Sequence, residues 1–243
     1  MKSTPQLLCT VLALFCGAAL ASAIPGRAEV KKVVGKASFT KAGSAPSTLS
    51  EGMVLGTGDT VITGAGSTVD LYLGLNGDYL RVDPDTTLKI DNLDIGNIAE
   101  RTVTTQLSLG KGAITGNVVN KLTRASKYEI KSASGVAGIR GTVYSVKTDA
   151  NGRITRIVVT TGTVTFIDRG VTITISAADG AKAYSPPPAG TTPTQALVGA
   201  ATSVEAQVTS VIGVILERIQ QGQMDSGAVG TVINNPLDVS ISQ

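Results

Sequence analysis

An all-β domain is the fold class that the 243-residue sequence predicts, and three observations predict it. Apolar residues alternate with polar ones at period two from Val30 to Tyr184. Turn-forming residues interrupt the alternation at short intervals. Helical spacing enters only after a proline-rich stretch that follows Tyr184. Strict alternation makes strands with one wet and one dry face. Many short strands with regular turns pack as a sandwich, a jelly roll or a short β-solenoid. The pattern leaves these three open, because no fixed period marks stacked coils.

The chain opens with Lys2, an apolar run from Leu7 to Leu20, and Ala21-Ser22-Ala23 before Ile24-Pro25. A charged start, an apolar middle and small residues at the cleavage positions make a secretory signal peptide over 1–23, leaving Ile24 as the new amino terminus. The run is shorter than the roughly 20 apolar residues of a membrane span, and no other stretch is long and apolar enough. Cys9 and Cys16 both lie in this leader. The mature chain then has neither a disulfide nor a thiol nucleophile. A lipid anchor on Cys16 needs a small residue before it, where Phe15 stands.

Val69, Leu71, Leu73 and Leu75 alternate with Asp70, Tyr72 and Gly74. Leu80 and Val82, Leu88 and Ile90, then Val103, Leu107 and Leu109 continue the pattern, with Thr105 in the inward register. Val164 and Phe166, then Val171, Ile173 and Ile175, complete it. Between them fall Gly64-Ala65-Gly66, Asn76-Gly77-Asp78, Asp83-Pro84-Asp85, Gly110-Lys111-Gly112 and Asn151-Gly152. Asn-Gly between alternating runs signals a hairpin, because both residues tolerate positive φ. The expected β domain is 30–184.

Residues 185–194 read as an extended proline-rich linker. Leu197, Ala201, Val204, Val208, Val211, Ile215 and Ile219 then recur at helical spacing. A helix over 195–222 follows, with Thr194 or Thr191-Thr192 as cap and Gly222 as stop. Val204, Val208, Val211 and Ile215 form its expected docking or partner face, against the β domain or as a homo-oligomer seam. A flexible tail, 223–243, carries a short strand signal at Leu237–Ile241.

Composition removes several function classes. The sequence has no His and no Trp, so the commonest general base and metal ligand is missing. A net charge of +3, to which Lys2 contributes one, lacks the basic footprint of a nucleic-acid binder. Asp83, Asp85, Asp91 and Asp94 form the densest acidic cluster. They lack the spacing of a calcium loop and of a paired-carboxylate glycosidase, and read as turn formers. Gly110-Lys111-Gly112-Ala113 lacks the flanking residues of a phosphate loop and reads as a β-turn. No catalytic, cofactor or metal residues are assigned.

The segment from Lys131 to Tyr144 contains Ser134-Gly135-Val136-Ala137-Gly138-Ile139-Arg140-Gly141-Thr142-Val143. It resembles the signature of the FecR domain family, named for an iron-citrate sensory regulator. The stretch from Gly52 to Thr63, the Asn76-Gly77 turn, Leu107–Gly112 and Thr161-Gly162-Thr163-Val164 resemble the family as well. The likeness runs roughly from Val33 to Tyr184. It implies an all-β fold and a non-catalytic binding role outside the cytoplasm. A leader stands where the regulator carries a cytoplasmic anti-sigma segment, and no second signalling domain is evident after the β domain, so sigma-factor control is not implied. Within the signature, Gly138, Ile139, Arg140, Gly141 and Thr142 are expected to be structural. Arg140, with five fixed donors, is the expected clamp for loop carbonyls, with contact to an anionic ligand or partner as its other use.

The expectation is an exported FecR-like module, periplasmic or at the cell surface, that binds a protein partner in envelope sensing or signalling. It takes no cofactor and no nucleic acid, and has no mature membrane span. A structural surface or matrix protein without signalling is the alternative.

Overall fold

The structure, a computed structural model, describes residues 24–41, 44–118 and 122–220. The expected signal peptide and the 223–243 tail, with its strand signal, lie outside the described residues. In chain order the strands are β1 (Ile24–Pro25), β2 (Ala28–Val34), β3 (Ala37–Thr40), β4 (Ser47–Thr48), β5 (Val54–Leu55), β6 (Thr60–Thr63), β7 (Thr68–Gly74), β8 (Asp78–Val82), β9 (Thr87–Asn97) and β10 (Thr102–Asn117). They continue with β11 (Lys127–Lys131), β12 (Gly135–Thr148), β13 (Ile154–Asp168), β14 (Val171–Ser176), β15 (Lys182–Tyr184) and β16 (Val198–Ala200), and helix α1 (Ser203–Gln220) follows.

These strands form one 16-stranded sheet that doubles over on itself. One layer has the order β5-β2-β7-β8-β10-β12-β13-β15-β16. The other has the order β4-β3-β6-β9-β10-β11-β12-β13-β14. The long strands β10, β12 and β13 run through both layers. Their first and second halves therefore pair with different neighbours. The second layer also admits β11, parallel to β10, between β10 and β12. Of the three architectures that the alternation allows, this is a two-layer sandwich open at its edges.

One apolar core lies between the layers, from Val30, Leu71, Leu80 and Val82 in the first to Leu88, Ile90, Leu107, Ile130, Phe166 and Ile173 in the second. The inward series changes parity where a long strand bends. In β10 it passes from Leu107 and Leu109 to Ile114, in β12 from Ala137 and Ile139 to Tyr144 and Val146, and in β13 from Ile157 and Val159 to Val164 and Phe166. Side chains alternate strictly, so an odd-to-even change needs an extra residue at each bend. Such a bulge also turns the strand sharply. Gly110-Lys111-Gly112 is thus a bend inside a continuous strand, with Gly112 at φ +95°, and not the strand-ending β-turn that the sequence suggests.

Asn76-Gly77 closes the β7–β8 hairpin as expected, and Asn76 does more. Fully buried, it donates from Nδ2 to the carbonyls of Asp94 and Thr104 at 3.0 and 3.1 Å. The inward hydroxyl of Thr105 donates to the Asn76 carbonyl, which explains a polar residue in the dry register. Tyr128 and Tyr144 place their hydroxyls 3.0 Å apart in the core, each satisfying the other.

The sheet extends past the expected domain limits of 30 and 184, since β1, the start of β2 and β16 belong to it. The helix starts at Ser203, not at 195. Gln195–Leu197 is a single 3-10 turn and Val198–Ala200 a strand. The start is fixed by a capping box at Thr202, beyond the Thr194 or Thr191-Thr192 cap expected from the sequence: Glu205 N donates to Thr202 Oγ1 at 3.2 Å and Thr202 N to Glu205 Oε2 at 3.0 Å.

Helix α1 lies on the outer face of the first layer, over β8, β10, β12 and β13. The face that docks is not the one read from the apolar stripe. Thr209, Ile212 and Gly213 are buried, whereas Val204 is 59% and Val208 38% exposed, and Val211 is half-buried. The side chain of Ile215 lies outside the described residues. Gly213 lets the helix backbone approach β12, because a Cβ there would lie 2.7 Å from Val143 Cγ1. Asn117 Nδ2 donates to the Gly213 carbonyl at 3.0 Å. Arg156 grips Glu205 with two parallel bonds of 2.7 and 2.6 Å and gives a third, of 2.7 Å, to Ser185. The docked face is mixed: Ile212 packs on Tyr79 of β8, while Glu205 and the Gly213 carbonyl meet the polar side chains of Arg156 and Asn117. Among the described residues, no helix is long and apolar enough to cross a membrane.

Candidate functional site

The segment singled out by its motif runs from the end of β11 through β12. Ser132 Oγ accepts from the backbone N–H groups of Ser134 and Gly135 at 3.3 and 3.2 Å. This local ring sets the reversal between the two strands. Ser134 Oγ accepts from Ile154 N at 2.9 Å and so ties the turn to the start of β13. Gly138 sits between Glu129 of β11 and Thr165 of β13, and Ile139 points into the core at 1% exposure.

At Arg140 the strand leaves the second layer. Arg140 pairs with Thr163, and the next matched pair is Val143 with Thr161. Gly141 and Thr142 thus stand opposite Gly162 alone. Gly141 takes φ +55° and Gly162 φ +76°. A Cβ on Gly162 would lie 2.2 Å from the Gly141 carbonyl oxygen. The Arg-Gly-Thr and Thr-Gly-Thr motifs are therefore two halves of one interlocked corner. Val143 N donates to Thr161 Oγ1 at 3.0 Å to close it, and Val118 N donates to the carbonyl of the buried Thr142.

Arg140 itself is not the clamp expected of it. Its side chain is exposed, and it makes no hydrogen bond or ion pair among the described residues. It borders a shallow hollow of about 160 Å³ with Lys127, Glu129, Thr163 and Thr165. Glu129 is already engaged by Lys127 at 3.0 Å and by Gln106 Nε2 at 3.0 Å. The guanidinium of Arg140 is thus left with unused donors on the outer face of the second layer.

The buried arginine is Arg81, which sequence reasoning missed. Its side chain is 2% exposed and meets Asp70, 1% exposed, through parallel bonds of 2.6 and 2.7 Å. Asp70 and Arg81 stand opposite each other on β7 and β8, in the outward register. The cross-strand opposition of unlike charges in two alternating runs was the available signal. Asp83, next outward along the chain, has its carboxyl pushed up to about 7, chiefly by burial. The nearby charge of Arg81 pulls it down, Asp70 pushes it up and Lys147 lowers it.

The four aspartates do not converge. Asp83 and Asp85 occupy the bend between β8 and β9, where Asp85 takes φ +54°. Asp91 accepts from Ser108 Oγ at 2.6 Å and lies 3.5 Å from both Lys89 and Lys131. Asp94 pairs with Pro25 at the start of the described chain. Among the described residues, no group of three or more His, Cys, Asp or Glu is placed to hold a metal ion.

A family model described as FecR protein matches residues 59–165. Those residues are a FecR domain. The match opens at Asp59, beside the first residue of β6, and closes two residues past the Arg140–Thr163 pair. It therefore contains the bends of β10, β12 and β13. The FecR domain is completed in space by strands outside the match, since β2 and β3 pair with β7 and β6, and β14 and β15 pair with β13. No curated protein matches the chain. Two crystal structures of a "putative anti-sigma factor" from Parabacteroides distasonis ATCC 8503, at 2.50 and 1.65 Å, align with it at 10% identity. Each alignment has a TM-score of 0.39 and covers 52% of this chain and 54% of that one. The chain thus spans about half the length of that protein, and the likeness is too slight to bear on function.

Proposed function

We propose that this protein is an exported, non-catalytic FecR-like module that binds a protein partner in the cell envelope, in sensing or signalling, through the outer face around Arg140. The observation that carries the reading is the division of labour within the signature. Ile139, Gly141 and Thr142 build the corner, while Arg140 stands exposed and unpaired among the described residues. A planar guanidinium with five free donors suits a carboxylate-bearing protein surface. Export rests on the leader sequence at 1–23, and the absence of an assembled catalytic motif in the sequence supports a binding role.

The test is Arg140→Ala in the full-length protein expressed with its leader. An exposed, unpaired residue contributes within about 0.5 kcal/mol of stability, so the melting temperature should stay at the wild-type value. Crosslinked partners captured from the envelope fraction by the wild type should be lost by the variant. A variant that melts several degrees lower and captures the same partners returns Arg140 to a purely structural role.

A further inference from the structure

The strand β14 ends the second layer, paired with β13 on one side only. Ile173 and Ile175 exchange their backbone bonds with β13, so Thr172, Thr174 and Ser176 turn theirs outward. Free edges of this kind invite a strand from another chain, and proteins blunt them with lysines, prolines or bulges. The sequence of β14, Val-Thr-Ile-Thr-Ile-Ser, contains none of these. Its protection comes from elsewhere in the chain. Thr174 N donates to Gln195 Oε1 at 2.8 Å, and Gln195 Nε2 donates to the Thr174 carbonyl at 2.6 Å. A side-chain amide has the same donor and acceptor as a peptide group. Gln195 thus occupies Thr174 as an antiparallel neighbour would.

The segment that brings Gln195 there is the proline-rich 185–194 stretch, and it is tied down rather than free. Ser185 accepts from Arg156. The carbonyls of Pro187 and Pro188 accept from Arg169 at 3.3 and 3.2 Å. Arg169 is itself held by the buried carboxylate of Asp168, which also accepts from Tyr184. After Gln195 the chain returns to the sheet as β16. The stretch is a strap across the end of the second layer, with Gln195 as its contact to the edge.

We infer that β14 is a latent pairing edge that Gln195 keeps closed, and that the strand it accepts once opened is β14 of a second copy. The sequence of the strand selects that occupant. A two-fold axis through Thr174 sets Thr172 opposite Ser176 and Ile173 opposite Ile175. Hydroxyls then face hydroxyls, apolar residues face apolar ones, and no charges oppose. The pairing is isologous and closes as a dimer. A tethered guard works at an effective concentration on the order of millimolar. Removing it should therefore uncover an association that the intact chain suppresses.

The experiment compares the purified protein, lacking its leader, with Gln195→Ala by sedimentation over a concentration series, with far-UV circular dichroism to confirm an intact fold. Gln195 is exposed, so the variant should fold. Freeing both edge bonds of Thr174 should tighten self-association by about tenfold or more relative to the wild type. Adding Thr174→Pro to Gln195→Ala removes the outward N–H at a position where an edge strand tolerates proline, and should restore the wild-type mass. A Gln195→Ala variant with unchanged self-association overturns the inference. So does an association that persists in the double variant, because it would use another surface.

Discussion

Replacing Gly162 by alanine tests whether the corner, rather than the strands it joins, fixes the fold. Two costs arise. Gly162 sits at φ +76°, where an L side chain costs about 1–2 kcal/mol. Its Cβ would also lie 2.2 Å from the Gly141 carbonyl oxygen, while ordinary contact begins at 3.4 Å. The obstacle is backbone on the opposite half of the same corner, so relief requires moving Arg140–Thr142 out of register. Overpacking of this kind costs about 1–3 kcal/mol more. Gly170→Ala is the control. Gly170 has φ +83° but nothing within 4 Å of its Cβ position, so it carries the conformational cost alone. For a domain of this size 1 kcal/mol moves the melting temperature by roughly 2–4 °C. By circular dichroism melting, Gly162→Ala should therefore fall below Gly170→Ala by at least roughly 2–4 °C. Equal melting temperatures for the two variants would refute the interlocked corner.

The remaining predictions concern charge. Arg81→Leu leaves Asp70 buried without its partner and should cost about 3–5 kcal/mol by denaturant unfolding, whereas Arg81→Leu with Asp70→Leu should recover most of that; a single variant as stable as the wild type would show that water reaches the pair. Asp83 is protonated more readily in the fold, with its carboxyl raised to about 7 from 3.8, so stability should fall as pH rises through that interval. Asp83→Asn should match the wild type near the lower limit and melt higher above the upper one, and parallel profiles across the range would contradict this. Glu205 is shifted the other way, to about 2 from 4.5, first by Arg156 and, against the opposing effect of burial, also by Thr202. Its contribution is present above the higher value and lost as pH falls toward the lower. Glu205→Gln should therefore melt below the wild type at neutral pH and converge with it as pH approaches 2, and a constant gap would argue against the Arg156 latch.

Period-two alternation is a local property, and it was enough to find the strands, assign inward residues such as Leu71, Leu107 and Phe166, and read an all-β domain. The Asn76-Gly77 hairpin was legible for the same reason, since Gly77, at positive φ, acts on its own backbone. Motif likeness likewise located the segments that became the corner. What local pattern cannot show is which face of an element meets which neighbour. The stripe of Val204, Val208, Val211 and Ile215 is regular, yet Thr209, Ile212 and Gly213 dock. The sheet face that receives them carries Asn117 and Arg156, and a glycine lets the helix backbone settle against the Val143 side chain. Nor does an arginine announce its partner: Arg140 lies exposed in its motif, while Arg81 is buried by the register that sets it across from Asp70. Gly110–Gly112 reads as a turn, and Thr161–Thr163 offers only its family likeness, because glycine marks any sharp bend alike. Only the hydrogen bonds to strands distant in sequence make them points where one strand passes between layers. Gln195 shows the same limit most plainly, for a glutamine after a proline-rich stretch carries no signal, and its role exists only because the strap brings it to the open edge of β14.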